Sequence, residues 1–436
     1  MRATLTAIAI ALAAGFASTA AAEEAQDFNA HFQSTYVWQR KPAIRSPYEG
    51  PNSLSGDAEK SYSFTATAAF GLRLGPATEI YLNPEVAQGI PISGLLGLSG
   101  FSNGELAKTS GSTLTFYRAR LFARHTIGLG GDREAVASGF NQLAGSVDPR
   151  RIVLTVGGVS ALDLFDANAY AHDPRTQFLN WALMTHAAYD YPADSRGYTY
   201  GAAAEYFDGD WSARVARFAQ PREPNQLKLD TRLARHYGDQ AELSRKYMLA
   251  DKPGAVRLLA YRARAVMASY DAALAAAPIG AAPTLDSARD RERTKTAFGV
   301  GVEQEVARDV GVFARLMKAD GKTETYAFTE SDRSVSAGMS VAGTRWARPK
   351  DVFGAALATS GLSAGHRAFL ERGGQTFFLG DGRLRYAPER VIEVYYSASI
   401  AKGASITADY QRVANPGFNA DRGPASFFAV RLHWEN

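Results

Sequence analysis

Cysteine is absent from all 436 residues. That excludes disulfides, thiolate nucleophiles and cysteine-based metal sites, so the fold rests on packing and backbone hydrogen bonds. Beyond the N-terminal leader there is no run of about 18 apolar residues, which excludes a membrane-spanning helix but leaves a soluble protein and a membrane β-barrel open. Neither sign of charge prevails, with 48 Lys+Arg against 44 Asp+Glu, and there is no polybasic tail. The composition therefore points to no nucleic-acid partner. Histidine is scarce too: none of the seven stands at a Ser or Asp spacing that suggests a hydrolase, and the chain reads as a non-enzyme. No phosphate-binding loop or plug domain occurs, so no cofactor and no energy source are implied.

The first residues are informative. Met1-Arg2, an apolar run to Phe16 and small residues at Ala20 and Ala22 before Glu23 have the layout of a secretory signal peptide. Residues 1–22 are read as that leader and 23–436 as one exported domain.

Beyond the leader, period-2 alternation recurs along the chain, the mark of strands with two unlike faces. Tyr62, Phe64, Ala66, Ala68, Phe70 and Leu72 oppose Ser61, Ser63, Thr65, Thr67, Ala69 and Gly71; Phe428, Val430, Leu432 and Trp434 oppose Ala429, Arg431 and His433. Strands are expected near 29–39, 60–73, 78–86, 113–126, 150–158, 196–207, 210–218, 237–249, 254–267, 293–304, 310–318, 331–342, 351–359, 388–399, 403–413 and 424–435. The connections alternate in length. Short ones such as "DGD" (Asp208 to Asp210) and "AKG" (Ala401 to Gly403) carry turn residues. Long ones include Val86 to Ser112, Gly158 to Ser195 and Ser360 to Ala387. Short turns at one rim, long loops at the other and an even strand count predict an all-β fold: a sixteen-stranded antiparallel transmembrane β-barrel of outer-membrane type with short helices in its loops. A soluble sandwich is the rival, but its apolar faces would need an opposing sheet. One connection, Ile127 to Pro149, is too long for a turn and is expected to hold a small periplasmic helix.

Several long, irregular phrases then narrow the reading: "YVWQRKPAIRSPYEGPNSL", "IYLNPEVAQG", "NQLAGSVDPRRIVLTVG", "AYAHDPRTQFLNWALM", "RFAQPREPN", "TYAFTESDRS" and "VANPGFNADRGP". They resemble the carbohydrate-selective porin (OprB) family, from about Phe32 to Pro424. The resemblance implies passive diffusion of monosaccharides and related small polar solutes through a channel narrowed by a loop, in the outer membrane of a Gram-negative bacterium. It also implies contact with membrane lipid and the barrel assembly machinery, as a monomer or homotrimer. Barrels of this kind commonly end on an aromatic residue; here Asn436 takes that place and Trp434 stands two residues before it.

Within "TLTFYRARLFARHTI", Arg118, Arg120 and Arg124 share one parity and Tyr117, Ala119, Leu121 and Ala123 the other. The arginines are expected in the lumen because an Arg on the lipid face costs roughly 2–4 kcal/mol at the midplane. Strand 78–86 brings Glu79, Tyr81, Asn83 and Glu85 on its polar parity. Guanidinium forks and carboxylates facing one another can hydrogen-bond sugar hydroxyls, a role the family resemblance implies; ordinary lumen wall is the bland alternative. Arg262, Arg264 and Arg315 are further candidates. In the loop Gly158 to Ser195, the expected constriction, Asp173-Pro174 predicts a helix start continuing through "TQFLNWALM". Trp181 there either anchors the loop or offers a flat face to a pyranose. "DLFDAN" gathers Asp163, Asp166 and Asn168, a candidate calcium site at the outer surface without the full spacing of a known calcium loop. "GHRAFLERGG" reads as a loop helix ending in glycines. Rival readings are a porin for anionic solutes or acidic sugars, a non-selective porin, a barrel-borne hydrolase and an envelope-spacing element.

Overall fold

In the computed structural model the described residues are 25–436; the expected signal peptide lies outside them. Sixteen long strands close into one antiparallel barrel in which each pairs with its neighbours along the chain and the last pairs with the first. Each of the sixteen expected segments lies on one of them. The first is β1 (Phe28–Lys41), whose antiparallel register with β18 (Ala425–Glu435) closes the ring.

The two faces of each strand invert the pattern of a soluble protein. On β2 (Glu59–Gly75), Ser61, Ser63, Thr65 and Thr67 are buried inside, whereas Leu72 and Leu74 on the outer face are exposed. On β18, Phe428, Val430, Leu432 and Trp434 are exposed and Arg431 and His433 are buried. Apolar residues stay outward around the whole ring because in hydrocarbon only a closed sheet satisfies every backbone group. No helix among the described residues is long and apolar enough to cross a membrane.

Tight reversals set the register at one rim. Between β10 (Tyr237–Leu249) and β11 (Lys252–Val266), Ala250 and Asp251 both have positive φ, 50° and 58°, as a two-residue hairpin whose twist matches its strands requires. Gly403, φ 71°, turns β16 (Glu389–Ala401) into β17 (Ala404–Ala414), where a Cβ would meet the Glu435 carbonyl at 1.9 Å.

The connection after β4 (Thr115–Gly128) holds no helix; instead β5 (Glu134–Val136) pairs with β6 (Gly145–Val147). The segment between them turns back into the barrel. Its backbone groups are met by the inner wall: Asn29 donates to Gln142 O at 2.7 Å, Arg124 to Asn141 O at 2.9 Å, and Leu143 N donates to Tyr81 Oη at 3.1 Å. A helix would have had to satisfy those groups internally.

At the loop rim the interior is filled. Phe101, Trp181, Tyr191, Phe328 and Phe378, from four different loops, form a buried aromatic core inside the cylinder. The helix Ala364–Glu371 is present where expected, with Ser363 as its N-cap.

Candidate functional site

Strands β3 (Thr78–Ile90) and β4 form the wall on which the charged groups converge. Their register pairs Glu79 with Arg124 and Asn83 with Arg120. Three levels of paired charge run down this wall. Near the loop rim, Arg175 bonds Glu85 at 3.1 Å and Glu105 at 3.1 Å, while the hydroxyls of Thr67, Tyr117 and Tyr198 donate to Glu85. One level down, Arg120 grips Asp163 with two bonds of 2.7 and 2.6 Å. Lowest, Glu79 lies 2.9 Å from Arg73 and 4.0 Å from Arg124. Arg73, Arg120, Arg124 and Arg175 retain 17%, 15%, 20% and 21% side-chain exposure, so this wall is in contact with water. Asn83 faces the same way but is fully buried, so it backs the wall rather than lining it.

Arg118 is not in this column. The register steps between Asn83↔Arg120 and Pro84↔Arg118, so Ala119 is an extra residue and β4 is bulged there. The bulge reverses the alternation: Tyr117 faces inward on Glu85, and Arg118 is exposed on the outer side with Phe116 and Leu121. The expectation that Arg118 meets the lumen and Tyr117 takes the opposite face is therefore corrected at both residues. Pro84 was the available signal, since a proline cannot donate to a ladder and marks an irregularity beside it.

Arg262 and Arg264 also lie outside the lumen. On β11 it is Leu259, Tyr261 and Ala263 that are buried inward, against the loop-filled interior. Arg262 donates to Tyr237 Oη at 2.7 Å and Arg264 to Glu292 at 2.6 Å on the outer side. Near this rim the inside is dry and packed, so polarity no longer reports which face is inner.

The loop 160–198 crosses the interior. Asp166 meets Arg315 of β13 (Val310–Ala319) at 2.9 Å, and Arg315 also donates to the carbonyls of Leu183 (2.9 Å) and Ala171. Arg315 is thus a buried tie rather than a lining residue. Glu393 of β16 accepts from the amides of Leu179 and Asn180, the latter at 3.0 Å, and Arg431 of β18 donates to the carbonyls of Pro174 and Gln177, each at 2.7 Å. These ties break the expected helix. One turn forms after Asp173, the chain opens onto Glu393, and Asn180 caps a separate short helix, Trp181–Met184. Trp181 stacks on Phe328 (4.9 Å, 13°) and lies 4.2 Å from Phe101, so it locks loops together and presents no open face to a solute.

Asp163, Asp166 and Asn168 do not converge on a metal. Asp163 is held by Arg120, Asp166 by Arg315, and Asn168 accepts from the amides of Tyr170 and Ala171. Among the described residues no cluster of three metal-ligating side chains occurs. Burial opposes ionisation of Asp163 and Asp166, but the arginine beside each holds its carboxyl below the usual range.

Two basic loop residues behave differently. His186, 3.7 Å from Asp166, is buried deeply enough that its pKa falls to about 4 despite that carboxylate. Lys108 reaches from the loop 91–114 to Asn225 Oδ1 (2.5 Å) and the Ala327 carbonyl, with the rings of Phe378 and Trp181 at 5.4 and 5.7 Å. Burial lowers its pKa to about 7, against the pull of Asp190, Glu330 and Asp194.

Sequence reasoning missed Arg175, Glu105 and Tyr198, which stand on loops, and misplaced Tyr117. No local pattern marks the loop residues, because their partners lie 70 to 113 positions away.

The geometry agrees with what the chain resembles. No curated protein sequence matches it. In fold it is similar to the OprB porin of Pseudomonas putida, at a TM-score of 0.70 and 15% identity over 94% of each chain. It is similar also to the outer-membrane channel DcaP of Acinetobacter baumannii, at 0.52 and 10% over 97% of this chain and 100% of that one. The family model described as carbohydrate-selective porin, OprB family, matches residues 55–435, and the chain belongs to that family.

Proposed function

We propose that the chain is a porin of the Gram-negative outer membrane through which monosaccharides and related small polar solutes diffuse passively, along the β3–β4 wall. The balance of that wall carries the reading. Arg73, Arg120, Arg124 and Arg175 face Glu79, Glu85, Glu105 and Asp163, four cations against four anions, with Tyr117 and Tyr198 among them. Paired forks and carboxylates offer donors and acceptors side by side. A hydroxyl-rich solute can exchange part of its hydration for them, as selectivity in a pore demands. Because the charges cancel locally, the wall has little net field to draw in anions. Family membership supports the carbohydrate class, and the channel fold supports transport rather than catalysis.

Liposome swelling with neutral hexoses, disaccharides and sugar acids at matched osmolarity tests this. Neutral hexoses are expected to enter fastest and disaccharides more slowly. Equal, size-limited entry of every solute would leave a porin without sugar selectivity; faster entry of sugar acids would make it an anion porin.

A further inference from the structure

The outer wall at the loop rim carries cations that the solute wall does not use. Arg40, next to last in β1, stands directly opposite Lys60, second in β2. Lys318, next to last in β13, stands directly opposite Arg333, the first residue of β14 (Arg333–Ala342). Arg390 and Arg412 sit at the loop ends of β16 and β17, with Arg412 opposite Ile392, two residues from Arg390. All six are exposed, and their immediate strand neighbours, such as Gln39, Ser61, Met317, Ser334 and Val391, are buried inward. Among the described residues none of the six has an ion-pair partner; Arg333 reaches only the Tyr386 hydroxyl, at 3.4 Å. At the opposite rim the outer positions are mostly apolar, as at Leu74, Ile127, Leu249 and Ile400.

Like charges directly opposite on neighbouring strands repel, so two such pairs on one rim are unfavourable unless an anion lies between them. We infer that this rim binds the phosphate groups of an anionic glycolipid of the outer leaflet, each cross-strand cation pair closing on one phosphate. Side chains directly opposite start about 4.5–5.5 Å apart, near enough for both to reach one phosphate, and a guanidinium fork matches its oxygens. Exposed apolar residues sit beside the cations: Phe428 is opposite Arg40, Leu316 is two residues from Lys318, and Ile392 is two from Arg390. They give the acyl chains a surface below the headgroup. The inference rests on the barrel's place in the outer membrane and not on its selectivity for sugars.

The test uses the full-length protein in non-ionic detergent with four probes: bisphosphorylated lipid A, the same lipid dephosphorylated, a zwitterionic phospholipid and inorganic phosphate. Retention is read by native mass spectrometry. Bisphosphorylated lipid A is expected to remain bound, with retention falling as ionic strength rises, and the other three to wash away. The fourfold variant Arg40→Gln/Lys60→Gln/Lys318→Gln/Arg333→Gln should bind it at least tenfold more weakly, while Arg245→Gln at the turn rim should bind as the wild type does. Equal retention of the dephosphorylated lipid, equally tight binding of inorganic phosphate, or undiminished binding by the fourfold variant would each overturn the inference. The four wild-type probes decide it even if the variant does not fold. Unchanged hexose flux in a folded variant separates this result from the sugar reading.

Discussion

Arg120 and Asp163 meet side-on, the guanidinium of β4 closing two bonds of 2.7 and 2.6 Å on a carboxylate carried by the loop that crosses the interior. A wall strand and the loop 160–198 are thereby joined across the interior.

Removing either partner should shift charge selectivity in opposite directions. Arg120→Ala leaves the wall with one excess anion and Asp163→Ala with one excess cation. Reversal potentials in planar bilayers are expected to move toward cation preference in the first and anion preference in the second, with faster hexose entry in both. Arg118→Ala, on the outer side of the bulge, should change neither; a shift as large as that of Arg120→Ala would mean that Arg118 faces the lumen.

Arg315 is expected to matter for stability more than for flux. Arg315→Met strands Asp166 in a buried site, a loss of about 3–5 kcal/mol, and should lower the urea midpoint of the folded barrel. Arg315→Met/Asp166→Asn should recover much of it, since no unpaired charge remains.

His186 gives the loop an acid sensitivity whose sign follows from its pKa of about 4 against an ordinary 6.5. Neutral while packed, it takes up a proton once released. Opening therefore becomes easier as pH falls from about 6.5 to about 4, by roughly 3 kcal/mol at the lower end. Hydrogen exchange across residues 160–198 should accelerate over that range, and His186→Asn should flatten the dependence.

Lys108, with its pKa lowered to about 7, gains its charge as pH falls through neutrality. Anion preference should rise over that step and stay level at lower pH until other groups titrate. Lys108→Met should lack the step near pH 7 while the rest of the profile is kept.

The barrel was legible because lipid imposes one rule on every strand: Phe64 and Leu72 must face out, and Ser63 and Thr65 must face in. The wall was half legible for the same reason, since Glu79, Glu85, Arg120 and Arg124 follow that rule. Where it failed, a second environment intervened. At Ala119 one extra residue reversed the alternation, and at Arg262 and Arg264 the headgroup zone outside and the packed loops inside exchanged the usual polarities. The loop partners were hidden for another reason: Arg431 meets the Pro174 carbonyl 257 positions away, and only the closed ring brings them together.

Asp163 and Asp166 are three residues apart, yet they are tied to Arg120 on β4 and Arg315 on β13, strands seven steps apart in a ring of sixteen. That short piece of chain works as a strut. A hollow cylinder held only by its circumferential hydrogen bonds would flatten easily under lateral pressure from the bilayer. With that strut fixed to nearly opposite walls, a distortion that draws those two walls apart must pull an arginine from its carboxylate.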